Sequence, residues 1–134
     1  MIAGLIVFLF VLAAVFAYWE VQIEGSHGWA EKLPTWRKSE GRIFKLLGNR
    51  PLTGYHIGMI LFLILLFHFP LFFAVWNPEK EIFLIGYILA FLTIEDLFLF
   101  LVNPAYGLKW GPEDFYWIYT VLAIVLMFFG SKGF

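Results

Sequence analysis

Residues 2–19, IAGLIVFLFVLAAVFAYW, form an apolar run without a single charged side chain. A transmembrane α-helix needs about 20 mostly apolar residues, and about 17 can suffice. Three further stretches meet this requirement, at approximately 55–76, 82–102 and 115–130. A secretory signal is the alternative for the first stretch, but no basic residues precede its apolar core. The sequence therefore predicts four transmembrane helices.

The composition points to the same class of protein. Of the 134 residues, 62% are hydrophobic and only 14% are charged, whereas a soluble domain has about a quarter charged residues. The chain has no cysteine, which excludes disulfides and thiolate metal sites, and its net charge of −1 gives no basis for nucleic-acid binding. We expect an all-α integral membrane protein in which residues 1–134 form one compact four-helix bundle. Because so small a chain encloses little volume, we also expect a homo-oligomer.

The long connection 20–54 contains a second kind of pattern. Thr35 can cap a helix over residues 36–47, and Gly48 can end it. Its apolar residues fall near one face, as in a helix that lies in the headgroup region of a membrane. This predicts a short basic interfacial helix and lipid partners. The expected headgroup-binding residues are Arg37, Lys38, Arg42, Lys45 and Arg50.

The distribution of basic residues predicts the orientation. Four spans place both termini and the 77–81 turn on one side, and the 20–54 and 103–114 loops on the other. Lys80 and Lys132 lie on the terminus side, and the other seven of the 9 basic residues lie on the loop side. Since cytoplasmic loops carry the excess of Lys and Arg, we expect a cytoplasmic 20–54 loop and extracytoplasmic termini.

Two adjacent acids, Glu95 and Asp96, interrupt the third apolar run, LAFLTIEDLFLFLVN at 89–103. A charged group at the centre of a bilayer costs at least about 2.5–3.5 kcal/mol, and such groups usually face a cavity, an ion or a partner. The predicted topology brings other acids and histidines to the same end of the helices. A structural alternative is a protonated acid that hydrogen-bonds to Thr93, Tyr87 or a backbone carbonyl and holds the helices together.

Carboxylate and imidazole groups without sulfur are typical ligands of Zn, Mn or non-haem Fe. The segment EGSH, residues 24–27, has the Glu-x-x-His spacing by which carboxylate di-metal bundles present two ligands from one helix. We therefore predict a site for one or two divalent ions, with Glu20 and Asn103 as supporting residues and Glu95, Asp96 and His56 as catalytic residues. The predicted metal ligands are Glu24, His27, His56, Glu95 and Asp96.

His68 lies deeper in the second span, within LLFHFP. It can approach Glu95 or Asp96 from below, or it can form a hydrogen bond to another helix. Pro70 follows closely and removes a backbone donor, which predicts a bend in this helix.

Three hypotheses of function are consistent with these features. The first is a small membrane-embedded enzyme whose cytoplasm-facing carboxylate and histidine site acts on a lipid or another amphiphile. The second is a proton- or cation-coupled transporter that works as a homo-oligomer, and the third is a non-catalytic membrane subunit of a larger complex. A transporter needs acids near the midplane that are open to both sides, and a site at one end therefore favours the enzyme.

Overall fold

The computed structural model describes residues 2–46, 50–103 and 116–134. Four helices in these ranges are long and apolar enough to cross a membrane, as predicted, when the 3-10 segments that continue them are included: Ala3–His27, Gly54–Phe73, Pro78–Val102 and Tyr116–Gly133. The helices are α1 (Ile2–Glu24), α2 (Gly41–Leu46), α3 (Gly54–His68), α4 (Pro78–Val102) and α5 (Tyr116–Gly130), and two short strands are β1 (Arg37–Lys38) and β2 (Leu52–Thr53).

The start of α4 differs from the prediction because of a local cap. α4 begins at Pro78 rather than near 82, because the Asn77 side chain accepts a hydrogen bond from Lys80 N at 2.8 Å and caps the helix. Proline is favoured at the first helical position. The segment 77–81, predicted as a tight turn, is therefore largely the first turn of α4.

The predicted bend at Pro70 occurs as a change of helix type. α3 ends at His68, and a 3-10 helix continues from Phe69 to Phe73. The ring of Pro70 has no N–H to donate, so a regular α-helix is not favoured beyond this point.

α4 is the central helix of the fold. It packs extensively on α1 and α5, whereas α3 makes far fewer contacts with it. Two glycines allow the close approach of α4 and α5: a Cβ on Gly130 would collide with Phe83 N, and a Cβ on Gly86 would lie 2.9 Å from Ala123 O. Small residues at helix contacts are typical of membrane proteins.

The predicted helix over 36–47 is wrong in its first half. Arg37 and Lys38 are extended and pair with Leu52–Thr53 in an antiparallel ribbon, and the helix begins only at Gly41. The hydroxyl of Thr35 does not cap this helix but accepts a hydrogen bond from Tyr55 N at 3.0 Å. Leu47 and Gly48 lie outside the described residues, and so do Lys109 and the rest of 104–115.

The packed helices have two distinct ends. The loop end comprises the last turn of α1, the first turns of α3 and α5, and the last turn of α4. The terminus end comprises the opposite ends of these helices, where the Asn77 side chain donates to Gly133 O at 3.5 Å. Between them lies the apolar core, which consists of Leu9, Ala13, Phe16, Leu63, Phe67, Tyr87 and Phe91.

Candidate metal centre

A cavity of about 290 Å³ opens at the loop end of the helices. It is lined by side chains of α1, α3, α4 and α5 and by the loops that follow α1 and precede α3. All four acids that the sequence places at this end of the first and third spans line it: Glu20, Glu24, Glu95 and Asp96.

α1 contributes two of these acids through its helical periodicity. Ala13, Ala17, Glu20 and Glu24 are all buried, as expected for residues that recur at steps of three and four. The two alanines let α1 approach α4 closely, and the two glutamates follow on the same face where the helices leave room for the cavity. These four residues therefore form one buried stripe that extends to the last residue of the helix.

The stripe ends at Glu24 because the backbone changes direction there. Gly25 has φ of 72°, and Trp29 and Ala30 also have positive φ, at 49° and 51°. Such angles are unfavourable for residues with a side chain. The turn brings Ala30 N back to Glu24, whose Oε1 accepts a hydrogen bond from it at 2.7 Å.

His56 is held beside Glu24 by the N-terminal cap of α3. Thr53 Oγ1 accepts a hydrogen bond from His56 N at 3.2 Å and lies 2.6 Å from His56 Nδ1. With Nδ1 engaged by Thr53, Nε2 is directed at the cavity and lies 3.5 Å from Glu24 Oε1. The ring also packs against Trp29, with 4.5 Å between the ring centroids.

Three of these residues have the donor set of a metal centre. One ligand atom each from Glu20, Glu24 and His56 can be chosen so that all lie within 4.8 Å of one another. One imidazole nitrogen and two carboxylate oxygens suit Zn, Mn or Fe. Metal-bound histidines usually have a hydrogen bond at the other ring nitrogen, and Thr53 supplies a partner here.

Glu95 extends this group from α4. The carboxyl groups of Glu20 and Glu95 face each other at close range, and each residue is only 4% exposed. Glu20 Oε2 and Glu95 Oε1 have no hydrogen-bond partner in the described part of the chain. Buried carboxyl groups in contact need a proton or a cation between them, and the orphaned oxygens agree with either.

Asp96 and Arg50 complete the polar wall of the cavity. Asp96 is hydrogen-bonded to the side chain of Tyr116 at the start of α5. Arg50 is exposed at the cavity mouth, and its guanidinium carbon lies 4.8 Å from the centroid of the Trp29 ring. This stacking is a cation–π contact.

The remaining lining of the cavity is largely apolar. Met59 and Ile60 from α3 face this space together with Leu92, Leu99 and Phe100 from α4. Ile60 is 43% exposed, so the wall reaches the surface between two helices that make few contacts with each other. The cavity therefore combines a carboxylate and imidazole wall with a hydrocarbon wall.

Not every residue of the predicted site lies in this group. His27 is exposed beyond the turn at Gly25, and its Nδ1 lies 3.2 Å from Ser26 Oγ. The break in helical register at Gly25 removes it from the face that carries Glu24. Glu20, predicted as a supporting residue, lies among the possible ligands instead. Asn103 is buried and its Nδ2 donates to Gly25 O at 3.5 Å.

The expected headgroup-binding residues occupy different positions. Of the five, Arg50 lines the cavity. Arg37 donates hydrogen bonds to the carbonyls of Ala30, Glu31 and Leu33 and so fixes the turn that follows α1. Lys38, Arg42 and Lys45 are exposed on the ribbon and on α2.

His68 belongs to the terminus end and not to the cavity. Its Nε2 lies 2.9 Å from Glu81 Oε1, and Trp76 Nε1 donates to Glu81 Oε2 at 3.0 Å. Of the alternatives considered for His68, the hydrogen bond to another helix is therefore the one observed.

Two residues of the site were not predicted from sequence. Thr53 positions His56, and Trp29 contacts both His56 and Arg50. A signal for Thr53 exists, because threonine directly before a helix start is a typical N-cap. Trp29 carried no signal, since its contact with His56 depends on the turn at residues 25–30.

No family model matches this chain, and no curated protein or solved structure matches it either.

Proposed function

We propose that the protein is a membrane-embedded enzyme that binds a divalent metal ion at its loop end and acts on an amphiphilic substrate. In this proposal the four long helices span the bilayer as one bundle. The 20–54 loop faces the cytoplasm, in accordance with the excess of basic residues on that side. Membrane lipids surround the helices, and a homo-oligomer remains the expected assembly.

The observation that carries the proposal is that one ligand atom each of Glu20, Glu24 and His56 lies within 4.8 Å of the others in the loop-end cavity. The two glutamates come from α1 and the histidine from α3, so the group depends on how the helices pack. Uncompensated carboxylates in an apolar bundle are strongly unfavourable. A divalent ion offsets this charge and also engages the orphaned oxygen of Glu20.

The apolar core on one side of the cavity favours an enzyme over a transporter. Phe16 and Phe91 lie one helical turn from Glu20 and Glu95, and their ring centroids are 5.5 Å apart. Phe67 packs on Phe91 with 5.3 Å between centroids, and Phe91 and Leu63 are almost completely buried. This layer separates the acids from the terminus end, whereas a transporter needs a site accessible from both sides.

The apolar wall supports a lipid or another amphiphile as the substrate. A headgroup can occupy the polar wall while a hydrocarbon chain lies against Met59, Ile60 and Leu99 and leaves the cavity between α3 and α4. Arg50 at the mouth can bind an anionic group of the substrate. Substrate would reach such a site from the bilayer.

Each residue of the site has a role in this proposal. Glu20, Glu24 and His56 hold the metal ion, which would supply Lewis acidity and an activated water molecule. Glu95 and Asp96 accept and return protons at the substrate as general base and acid. Thr53 and Asn103 position His56 and the turn at Gly25.

The first test is the metal content of the purified protein. We expect about one or two transition-metal ions per chain by mass spectrometry in the wild type and a loss of metal in Glu24→Gln. Glu95→Gln should remain folded and also lose bound metal, because its carboxyl group lies against that of Glu20. The matched control is Glu31→Gln, because Glu31 is exposed and should keep its full metal content.

A folded wild type without metal would contradict this proposal. The acids would then be candidates for proton carriers of a transporter or for anchors that pair with basic residues of a partner subunit. Transport assays in vesicles and identification of co-purifying chains would separate those two alternatives.

A further inference from the structure

A second cavity lies at the terminus end, far from the acids. It has a volume of about 450 Å³ and is lined by α1, by the end of α3 with the 3-10 helix after it, and by the start of α4. We call it the terminus-end groove. α1 and α3 scarcely contact each other, so the space between them is not filled by the described part of the chain.

The surface of the groove is almost entirely hydrocarbon. Phe8 and Leu12 of α1 face Leu66 of α3, and Leu84 of α4 forms the floor. Several of these side chains remain exposed, Phe8 at 55% and Leu66 at 43%. Inside a bilayer the material available to cover them is hydrocarbon.

The dimensions of the groove fit a small ligand better than a protein. Pockets for small ligands have volumes of about 300–1,000 Å³, and 450 Å³ lies in this range. A helix with its side chains is about 10–12 Å wide, which is too wide to enter a recess between α1 and α3 of this volume.

Lys80 gives the groove a polar mouth. It is the one charged side chain among the described residues of the lining. Its Nζ donates to Val75 O at 2.7 Å, and an ammonium group has two further donors. The neighbouring Glu81 is already engaged by His68 and Trp76, so its carboxylate has partners other than Lys80.

The geometry points to a phospholipid site: we propose that one acyl chain of an anionic membrane phospholipid occupies the terminus-end groove and that its phosphate accepts a hydrogen bond from Lys80. This inference rests on the membrane insertion proposed above and is independent of the metal centre. Phe67 and Phe91, which pack edge to face in the core, separate the groove from the metal centre.

The test is native mass spectrometry of the purified protein in micelles, supplied with equal amounts of phosphatidylglycerol and phosphatidylcholine. We expect one retained phosphatidylglycerol per chain. Leu66→Trp fills the groove and should remove the bound lipid. Its control is Leu65→Trp, because Leu65 is 67% exposed on the same helix and does not line the groove.

The headgroup contact is tested separately with Lys80→Gln. An exposed contact between opposite charges contributes up to about fivefold to binding, and we expect the preference for phosphatidylglycerol to fall by up to this factor. Lys132→Gln is the control, because Lys132 lies at the same end but does not line the groove.

Three outcomes would overturn the proposal. In the first, the wild type is helical but retains no lipid. In the second, Leu66→Trp and Leu65→Trp lose lipid equally. In the third, the wild type is a dimer without bound lipid, and Leu66→Trp dissociates it. Failure of this proposal is distinguishable from failure of the proposed function, because the metal content of the Leu66→Trp variant is measured in the same samples and should equal that of the wild type.

Discussion

Replacement of Thr53 by valine tests how the candidate metal centre is built. Thr53 is completely buried, and its hydroxyl contacts both the backbone N–H and the ring of His56. Valine has nearly the same shape but no hydroxyl, so the change removes two hydrogen bonds and little packing.

The expected loss of stability follows from these two contacts. Loss of a helix N-cap costs about 1 kcal/mol, and a buried polar group left without a partner costs about 1–3 kcal/mol. We therefore expect the free energy of unfolding of Thr53→Val to be about 2–4 kcal/mol below that of the wild type. The measurement is denaturant unfolding in micelles, followed by tryptophan fluorescence.

The expected effect on metal binding is separate from the effect on stability. Removal of a residue that orients a ligand lowers metal affinity by about 10–100-fold. Affinity is measured by competition with a chromogenic chelator under conditions where every variant is folded. Thr53→Ser keeps the hydroxyl and should bind almost as the wild type does.

Thr93→Val is the matched control for burial. The hydroxyl of Thr93 is also buried but donates to Leu89 O within its own helix, at 2.9 Å. We expect a small loss of stability and unchanged metal affinity. Unchanged metal affinity in Thr53→Val would refute the role of His56 as a ligand oriented by Thr53. If Thr53→Ser lost as much metal affinity as Thr53→Val, the effect would come from packing and not from the hydroxyl.

Three further predictions concern the helices and the buried acids. Gly130→Ala should destabilise the protein by about 1–3 kcal/mol, because the added Cβ meets Phe83 N. Gly58→Ala is the control: its Cβ meets nothing within 4 Å, and the change should stabilise α3 by about 0.5–1 kcal/mol. Unfolding in micelles measures both, and a Gly130→Ala variant as stable as the wild type would disprove the close packing of α4 on α5. Glu95→Gln should raise the melting temperature of the metal-stripped protein, since an amide N–H can donate to the carboxylate of Glu20; a lower melting temperature would mean that the native site depends on the acid even without metal. His68→Gln should lower the free energy of unfolding by about 1 kcal/mol at most, because the partly exposed pair with Glu81 resembles a surface ion pair. The metal content of this variant should equal that of the wild type, and loss of metal would place His68 in the site.

Much of the polar organisation could be predicted from the sequence because it follows from periodicity within one helix. Four apolar runs imply alternating directions, and these directions bring Glu20, Glu24, His56 and Glu95 to one end. The steps of three and four residues from Ala13 to Glu24 predict one face, and all four residues of that stripe are buried. Neither result needs knowledge of how the helices pack.

The packing of the helices determined which acids and histidines lie close together. The turn at Gly25 ends the register, so His27 leaves the face that Glu24 occupies and Glu20 lies among the possible ligands instead. The pairing of Arg37–Lys38 with Leu52–Thr53 replaces the first half of the predicted interfacial helix. It also brings the middle of this loop next to the Thr53 cap.

The physical reason is that periodicity determines the angle between two residues of one helix but not the rotation of that helix against its neighbours. That rotation depends on contacts such as Gly130 against Phe83 and Gly86 against Ala123, which join residues far apart in the chain. Four long apolar helices, and the end at which the acids gather, could therefore be predicted from the sequence. Only the packing of α1, α3 and α4 decided that Glu20, Glu24 and His56 share one cavity while His68 pairs with Glu81 at the other end.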